Sequence, residues 1–220
     1  MDQKIFIKGR EFSYTPQELT YENAKLLDTK IAKENLLLFN EVSKANHFKF
    51  ILFYGTLLGA IREKNFIKHD TDIDLVTTDE NKLLDIIPQL QQKGFQFVRY
   101  YIYENKNGIL YSFLKNGVYI DIYLATKTKF NKYYLGYSKI SKTFIENIAD
   151  ISFLGESFSI PANYEKLFIL LYGKDWKVPK KNCPAILPND HKIRSLFYKL
   201  ADFFPKKLRN LVKNMFGIKK

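Results

Sequence analysis

Tyr54-Gly55-Thr56-Leu57-Leu58-Gly59-Ala60-Ile61-Arg62, followed by His69-Asp70-Thr71-Asp72-Ile73-Asp74-Leu75, is the stretch that decides how this chain folds. In its second half aspartates alternate with other residues as an apolar run begins. Strand geometry puts alternate side chains on one face, so Asp72 and Asp74 project together while Ile73 and Leu75 pack on the other side. Two carboxylates so placed repel each other unless protonated or neutralised. A hard divalent cation neutralises them and accepts oxygen ligands. Val118-Tyr119-Ile120-Asp121-Ile122-Tyr123-Leu124 repeats the device, with Asp121 on the face opposite Ile120 and Ile122. An aspartate in such a strand is costly unless paired or metal-bound. If the two strands are neighbours, Asp72, Asp74 and Asp121 converge and can hold one or two Mg²⁺ or Mn²⁺ ions.

Such ions suit phosphoryl transfer, since they neutralise phosphate oxygens and orient the transferred group. Gly55 and Thr56, ahead of a short helix, offer backbone N–H groups and a hydroxyl to a phosphate, with Tyr54 beside them as a further substrate-binding candidate. Arg62 is a candidate for stabilising charge on a pyrophosphate. Asp70 or Asp121 can serve as general base. Taken alone, Asp-x-Asp more often marks a solvated strand end, and Gly-Thr an ordinary helix start. The ordered set, completed by Asp121, is more specific.

Outward from this stretch, Thr15-Pro16-Gln17-Glu18 resembles a capped helix start, and Leu19, Ala24, Leu27, Ile31, Leu38 and Val42 continue near helical spacing to about Asn46. Strands are expected over Phe48–Phe53, Asp72–Thr77, Phe95–Tyr103, Ile109–Leu114 and Val118–Leu124, the last three as a meander turned at Asn105–Gly108 and Asn116-Gly117. Leu57–Glu63 and Asp79–Ile87 read as helices, with Pro88 ending or kinking the second. Short strands follow over Ile151–Ile160 with a turn at Gly155. A helix is then expected from Pro161 to Tyr172, stopped by Gly173, and a loop over Lys177–Asp190. This order predicts an α+β fold, a mixed β-sheet flanked by helices.

At 220 residues with 46% hydrophobic composition, the chain can build one substantial core. The single cysteine, Cys183, excludes an internal disulfide and a four-cysteine zinc site. His47, His69 and His191 lack metal-ligand spacing. The first residues carry charge early, without a signal-peptide pattern, and no run of about 18 apolar residues exists. A reduced, cytoplasmic setting is therefore expected. The net charge is +12, and residues 191–220 hold nine Lys/Arg against Asp202 alone, which accounts for +8 of it.

At Tyr54–Arg62, Asn65-Phe66-Ile67 and Asp70, Asp72, Asp74, the sequence resembles the LicD/fukutin family of nucleotidyltransferase-fold phosphotransferases, whose later aspartate matches Asp121. A second match runs through Phe153-Leu154-Gly155, Ile160–Glu165 and Leu171–Trp176. The resemblance covers roughly residues 20–180. Lys68-His69 stand where the family often has Pro-Trp. It implies a nucleotidyltransferase-like sheet, aspartates holding Mg²⁺ or Mn²⁺, and a CDP-linked donor such as CDP-choline or CDP-ribitol. The phospho-alcohol would pass to a hydroxyl of a surface glycan, with release of CMP.

Two domains are thus expected: a catalytic unit over 1–190 and a basic amphipathic helical tail over 191–220. In the tail Ile193, Leu196, Phe197, Leu200, Phe203 and Phe204, then Leu208, Leu211, Val212, Met215 and Phe216, recur at helical spacing among lysines and arginines. That pattern suits an anionic membrane surface, so peripheral attachment at the inner face of the membrane is expected. The competing reading is a tail packed on the domain or bound to a partner. Nucleic acid is not expected, because the basic residues share their helices with aliphatic stripes.

Overall fold

The computed structural model describes residues 3–18, 25–103, 108–128, 130–136 and 138–180. The tail over 191–220, Cys183 and most of the expected Lys177–Asp190 loop lie outside the described residues, as do Leu19, Ala24 and Asn105–Asn107.

The first elements are a hairpin that the periodicity above does not include: β1 (Gln3–Ile7) and β2 (Arg10–Tyr14). Lys8 and Gly9, both at positive φ, close it, the combination that two-residue hairpin loops require. The helix expected from Thr15 does not start there. Thr15 and Gln17 instead donate backbone N–H bonds to Phe97 O and Val98 O, and α1 runs over Thr29–Ala45. Its cap is Asp28, whose Oδ1 accepts from Lys30 N at 2.9 Å and Ile31 N at 3.1 Å. A free sheet edge competed successfully for the Thr15 segment.

The central sheet follows. β3 (Ile51–Leu52) leads into α2 (Tyr54–Arg62), then β4 (Asp72–Thr77), α3 (Glu80–Gln92), β5 (Gln96–Ile102), β6 (Ile109–Lys115) and β7 (Val118–Leu124). The strand order is β3-β4-β7-β6-β5, with β4 and β7 parallel and the other pairs antiparallel. The sheet is therefore mixed, and β7 is inserted beside β4. Pro88 does not end α3, which continues four residues beyond it. Its buried stripe of Leu83, Leu84, Ile86, Ile87 and Leu90 holds it to the core across the missing backbone bond. The β6–β7 turn at Asn116-Gly117 has φ of 51° and 80°, as expected for that pair.

Beyond the sheet, β8 (Thr126–Lys127), β9 (Lys132–Leu135) and β10 (Ser138–Ser141) form a three-stranded sheet of their own. β11 (Ile148–Phe153) and β12 (Glu156–Pro161) make a hairpin through Leu154-Gly155. α4 is Tyr164–Tyr172, ended by Gly173 at φ 94°. Pro161 closes β12 and does not open α4, because Ile148 pairs with it across the hairpin.

Ile73, Leu75, Ile120 and Ile122 have no exposed surface, and they join Leu36 and Phe39 of α1 and Leu83 and Ile87 of α3 in one buried cluster. The architecture is α+β. The aliphatic faces of β4 and β7 are consumed by this core, which leaves their aspartates on the opposite face.

Candidate active site

Parallel pairing sets Asp74 directly beside Asp121, and Asp72 beside Tyr119. Residues paired across adjacent strands point to one face, so Asp72, Asp74 and Asp121 share a face as the alternation requires. The row continues: Asp121 pairs with Ser112 on β6, and Ser112 with Arg99 on β5. Asp74, Asp121, Ser112 and Arg99 thus form a polar rank across four strands. Arg99 reaches it through a register shift between Phe97 and Arg99, a bulge at Val98. Without the bulge, strict alternation from Phe97 would carry Arg99 to the other face.

Asp74 and Asp121 are 7% and 2% exposed, and Arg99 is 8% exposed. Arg99 Nη1 lies 3.5 Å from Asp121 Oδ1 and 3.5 Å from Ser112 Oγ, and the guanidinium carbon sits 4.1 Å from the Tyr119 ring centroid. Sequence periodicity did not mark Arg99 as a site residue, and the bulge is the reason. Tyr123, two residues beyond Asp121 on the same face, was also missed, although parity with Asp121 was a legible signal. Burial, and then Asp74, Tyr103, Asp121 and Asp72, hold its hydroxyl well above the ordinary tyrosine range.

The remaining predicted residues take distinct places. Gly55, in the first turn of α2, donates its N–H to Asp74 Oδ2 at 3.2 Å. A Cβ at Gly55 would run into Asp70 Oδ2, so the approach of Asp70 needs glycine there. Thr56 is fully buried, and its Oγ1 accepts from Asp74 N at 2.8 Å. The hydroxyl therefore positions the Asp72–Asp74 strand, where sequence reasoning offered it to a phosphate. Tyr54 has φ of 40° at the strand-to-helix step, and its ring packs edge-on against Tyr123 at 5.2 Å. Arg62 donates to Trp176 O at 3.1 Å and Glu63 Oε1 at 2.7 Å. It ties α2 to the segment after α4, where sequence reasoning aimed it at a pyrophosphate. Asp70 sits in the turn before β4, accepting from Thr71 N at 3.1 Å.

The electrostatics are unfavourable to charge. Burial raises Asp72 well above the usual range, with Asp121 and Asp70 adding to it and Arg99 and Thr71 opposing. Burial does the same to Asp74, helped by Asp72, Asp70 and Asp121 and opposed by the Gly55 N–H. Asp121 is raised by burial against the pull of Ser112 and Arg99. Asp70 goes from 3.8 to about 6, through burial first, with Glu63 adding and the Thr71 N–H and His69 opposing.

Asp70 carries a pH prediction. A carboxyl raised in the folded state contributes stability that is complete below its unfolded pKa and is lost as pH rises through the folded value. That window runs from 3.8 to about 6. Asp70→Asn is therefore expected to gain on the wild type between pH 4 and 7, by on the order of 2 kcal/mol, in urea unfolding with a chelator present. A constant difference across the window would remove the buried-carboxylate account.

Among the described residues, no trio of Asp, Glu, His or Cys side chains stands ready-made to hold a metal ion. Asp74 is turned to Gly55 and Asp121 to Arg99. The donor set nevertheless fits a hard divalent cation: all its ligands are carboxylate oxygens crowded on one face. Asp70 Oδ2 and Asp121 Oδ1 are buried and accept no hydrogen bond among the described residues, so unspent acceptors remain.

Comparison with known proteins gives a relative and a family. A 58-residue segment is 38% identical to "Uncharacterized protein RP689" of Rickettsia prowazekii (strain Madrid E), covering 26% of this chain and 22% of that protein. The chain thus matches less than a quarter of that relative's length. The sequence model described as "LicD/FKTN/FKRP, nucleotidyltransferase domain" matches residues 47–163, from the turn before β3 to the end of the β11–β12 hairpin and just beyond. That span is 117 of 220 residues and contains Asp70, Asp72, Asp74 and Asp121, and the chain belongs to the LicD/FKTN/FKRP family.

Proposed function

We propose that this chain is a metal-dependent phosphotransferase that moves a phospho-alcohol, phosphocholine or similar, from a CDP-linked donor to a hydroxyl of a cell-surface glycan. The family supports transferase activity of this general kind. The observation that carries the reading is the side-by-side placement of Asp74 and Asp121 on parallel strands, with Asp72 on the same face.

In this reading Asp72, Asp74 and Asp121 hold Mg²⁺ or Mn²⁺ on a nucleotidyltransferase-like sheet. When bound, the cation neutralises phosphate oxygens and favours in-line displacement. The α2 N-terminus, through Gly55, fixes Asp74 and adds a partial positive charge beside the carboxylates. Asp70, raised to about 6, suits a general base near neutral pH. It takes the proton of the acceptor hydroxyl as that oxygen bonds to phosphorus and the bond to the CMP oxygen breaks. Arg99 holds Asp121 from the far side of the row and limits the charge the site must carry without metal. Among the described residues no helix is long and apolar enough to cross a membrane. Attachment to an anionic surface through 191–220 belongs to the same proposal.

A thermal-shift screen of CDP-alcohols and NTPs with Mn²⁺ tests the donor. Stabilisation by CDP-choline or CDP-ribitol, followed by CMP release on turnover, is the expected outcome. Stabilisation by NTPs alone, with pyrophosphate released, would replace this reading with nucleotidyl transfer.

A further inference from the structure

Between Ile122 and Ile145 the sequence holds five lysines and no acid. That interval contains the small sheet of β8, β9 and β10. Its alternation is clean: Tyr133, Leu135 and Ile140 are buried in the core, while Lys132 and Lys139 are exposed and Tyr134 is half-buried on the other face. Tyr134 and Lys139 are directly paired, and Lys139 Nζ stands 5.0 Å from the Tyr134 ring centroid. This face opens into a hollow of about 530 Å³ lined by Lys127, Thr128, Phe130, Lys132, Tyr134 and Lys139. Phe130, 81% exposed, is set at the rim with its N–H on Thr128 Oγ1 at 3.2 Å.

We infer that this hollow binds an anionic sugar, a phosphate-bearing unit of the glycan acceptor. The three ammonium groups supply charge-assisted donors for phosphate oxygens. Among the described residues, only Lys127 of the three has an ion pair, with Glu146 at 3.4 Å, which also takes Tyr133 OH at 3.0 Å and Lys142 at 3.9 Å. The Tyr134 and Phe130 rings offer flat apolar faces to the C–H side of a sugar. The volume lies in the small-molecule range of about 300–1,000 Å³. A concave basic hollow suits a discrete ligand better than a membrane plane, which a protruding apolar face would serve.

Gly136, at the β9–β10 turn, approaches the Tyr103 ring, with its would-be Cβ 3.5 Å from Tyr103 Cζ. Tyr103 and the carboxylates all act on Tyr123. Lys127 follows Asp121 by six residues, so they stand at most roughly 20 Å apart. A short oligosaccharide is long enough for that span, so an acceptor held by its phosphate in the hollow has the length to present a hydroxyl at the carboxylates. The assignment of this ligand to the acceptor rests on the phosphotransferase reading. The binding itself does not.

The test is a titration of the ¹⁵N-labelled full chain with hexose 6-phosphate, inorganic phosphate and the neutral hexose, in wild type, Lys132→Gln/Lys139→Gln and Phe130→Ala/Tyr134→Ala. Hexose phosphate should give saturable shifts over residues 127–139. The lysine pair should weaken it about tenfold, two lost charge contacts at roughly half a decade each. The aromatic pair should weaken hexose phosphate towards the level of inorganic phosphate. Absence of saturable shifts, equal binding by the lysine variant, or equal binding of the neutral hexose overturns the inference. So does exclusive binding of phosphatidylglycerol vesicles or single-stranded RNA through the same lysines. The aromatic variant keeps the test decisive should the lysine variant fold poorly. Sugar-phosphate binding in a chain that no CDP-alcohol stabilises would remove the donor reading and leave the hollow standing.

Discussion

Asp121→Asn or Asp72→Asn is expected to lower phospho-alcohol transfer by on the order of 10³-fold, the range seen when charge stabilisation at a reacting phosphate or oxyanion is removed. The amide keeps the shape of the carboxyl and discards its charge. Both aspartates are held above their ordinary range by burial, and Asp72 also by its neighbours, so losing a charge relieves repulsion in the metal-free protein. Asp72→Asn should therefore unfold no more easily than the wild type with a chelator present at pH 8, whereas Asp121→Asn also deprives the buried Arg99 of its carboxylate and should lose part of that relief. Both variants should also lose most of the stabilisation that Mn²⁺ gives the wild type, since binding to the native state alone raises stability by mass action. CMP release measures the first effect and thermal shift the second. Near wild-type turnover in either purified variant would take that residue out of the mechanism. A full Mn²⁺ shift in both would take the metal out of this row.

Arg99→Met is expected to cost about 3 kcal/mol or more at pH 8, because it strands a buried carboxylate beside an apolar side chain. Asp121 Oδ1 faces Arg99 Nη1 at 3.5 Å and accepts no hydrogen bond among the described residues. Removing the cation pushes Asp121 further up, and the sign follows. A carboxyl raised in the folded state costs most above its folded pKa and least where it is protonated in both states. The deficit should therefore be larger at pH 8 than at pH 4 in urea unfolding. Arg99→Met/Asp121→Asn should recover much of it, a coupling that a double-mutant cycle reads directly. Equal deficits at both pH values, without recovery in the double variant, would reduce Arg99 to a packing residue over Tyr119.

Much of this site could be read before any coordinates. Asp72 to Thr77 is a strand with the bounds its alternation predicts, and Asp121 falls opposite Ile120 and Ile122 because a strand has period two. The local signals that failed were those with a tertiary competitor. Thr15 has the residue pattern of a helix cap, yet a free edge of β5 offered its backbone better partners. Pro88 should stop a helix, yet five buried apolar side chains carry α3 through it. Arg62 and Thr56 were legible as polar residues of the motif, but their partners, Trp176 O and Asp74 N, are set by packing over long or intermediate separations.

The sequence by itself determined the residue chemistry: carboxylates on one strand face and an aspartate alone in an apolar strand. Those follow from local periodicity and side-chain type. Only the tertiary structure decided that β7 inserts beside β4 in parallel, that Asp74 meets Asp121 in register, and that a bulge at Val98 turns Arg99 into the same row. Strand order and register are fixed by burial of both faces at once, and a one-residue slip moves every side chain to the other face.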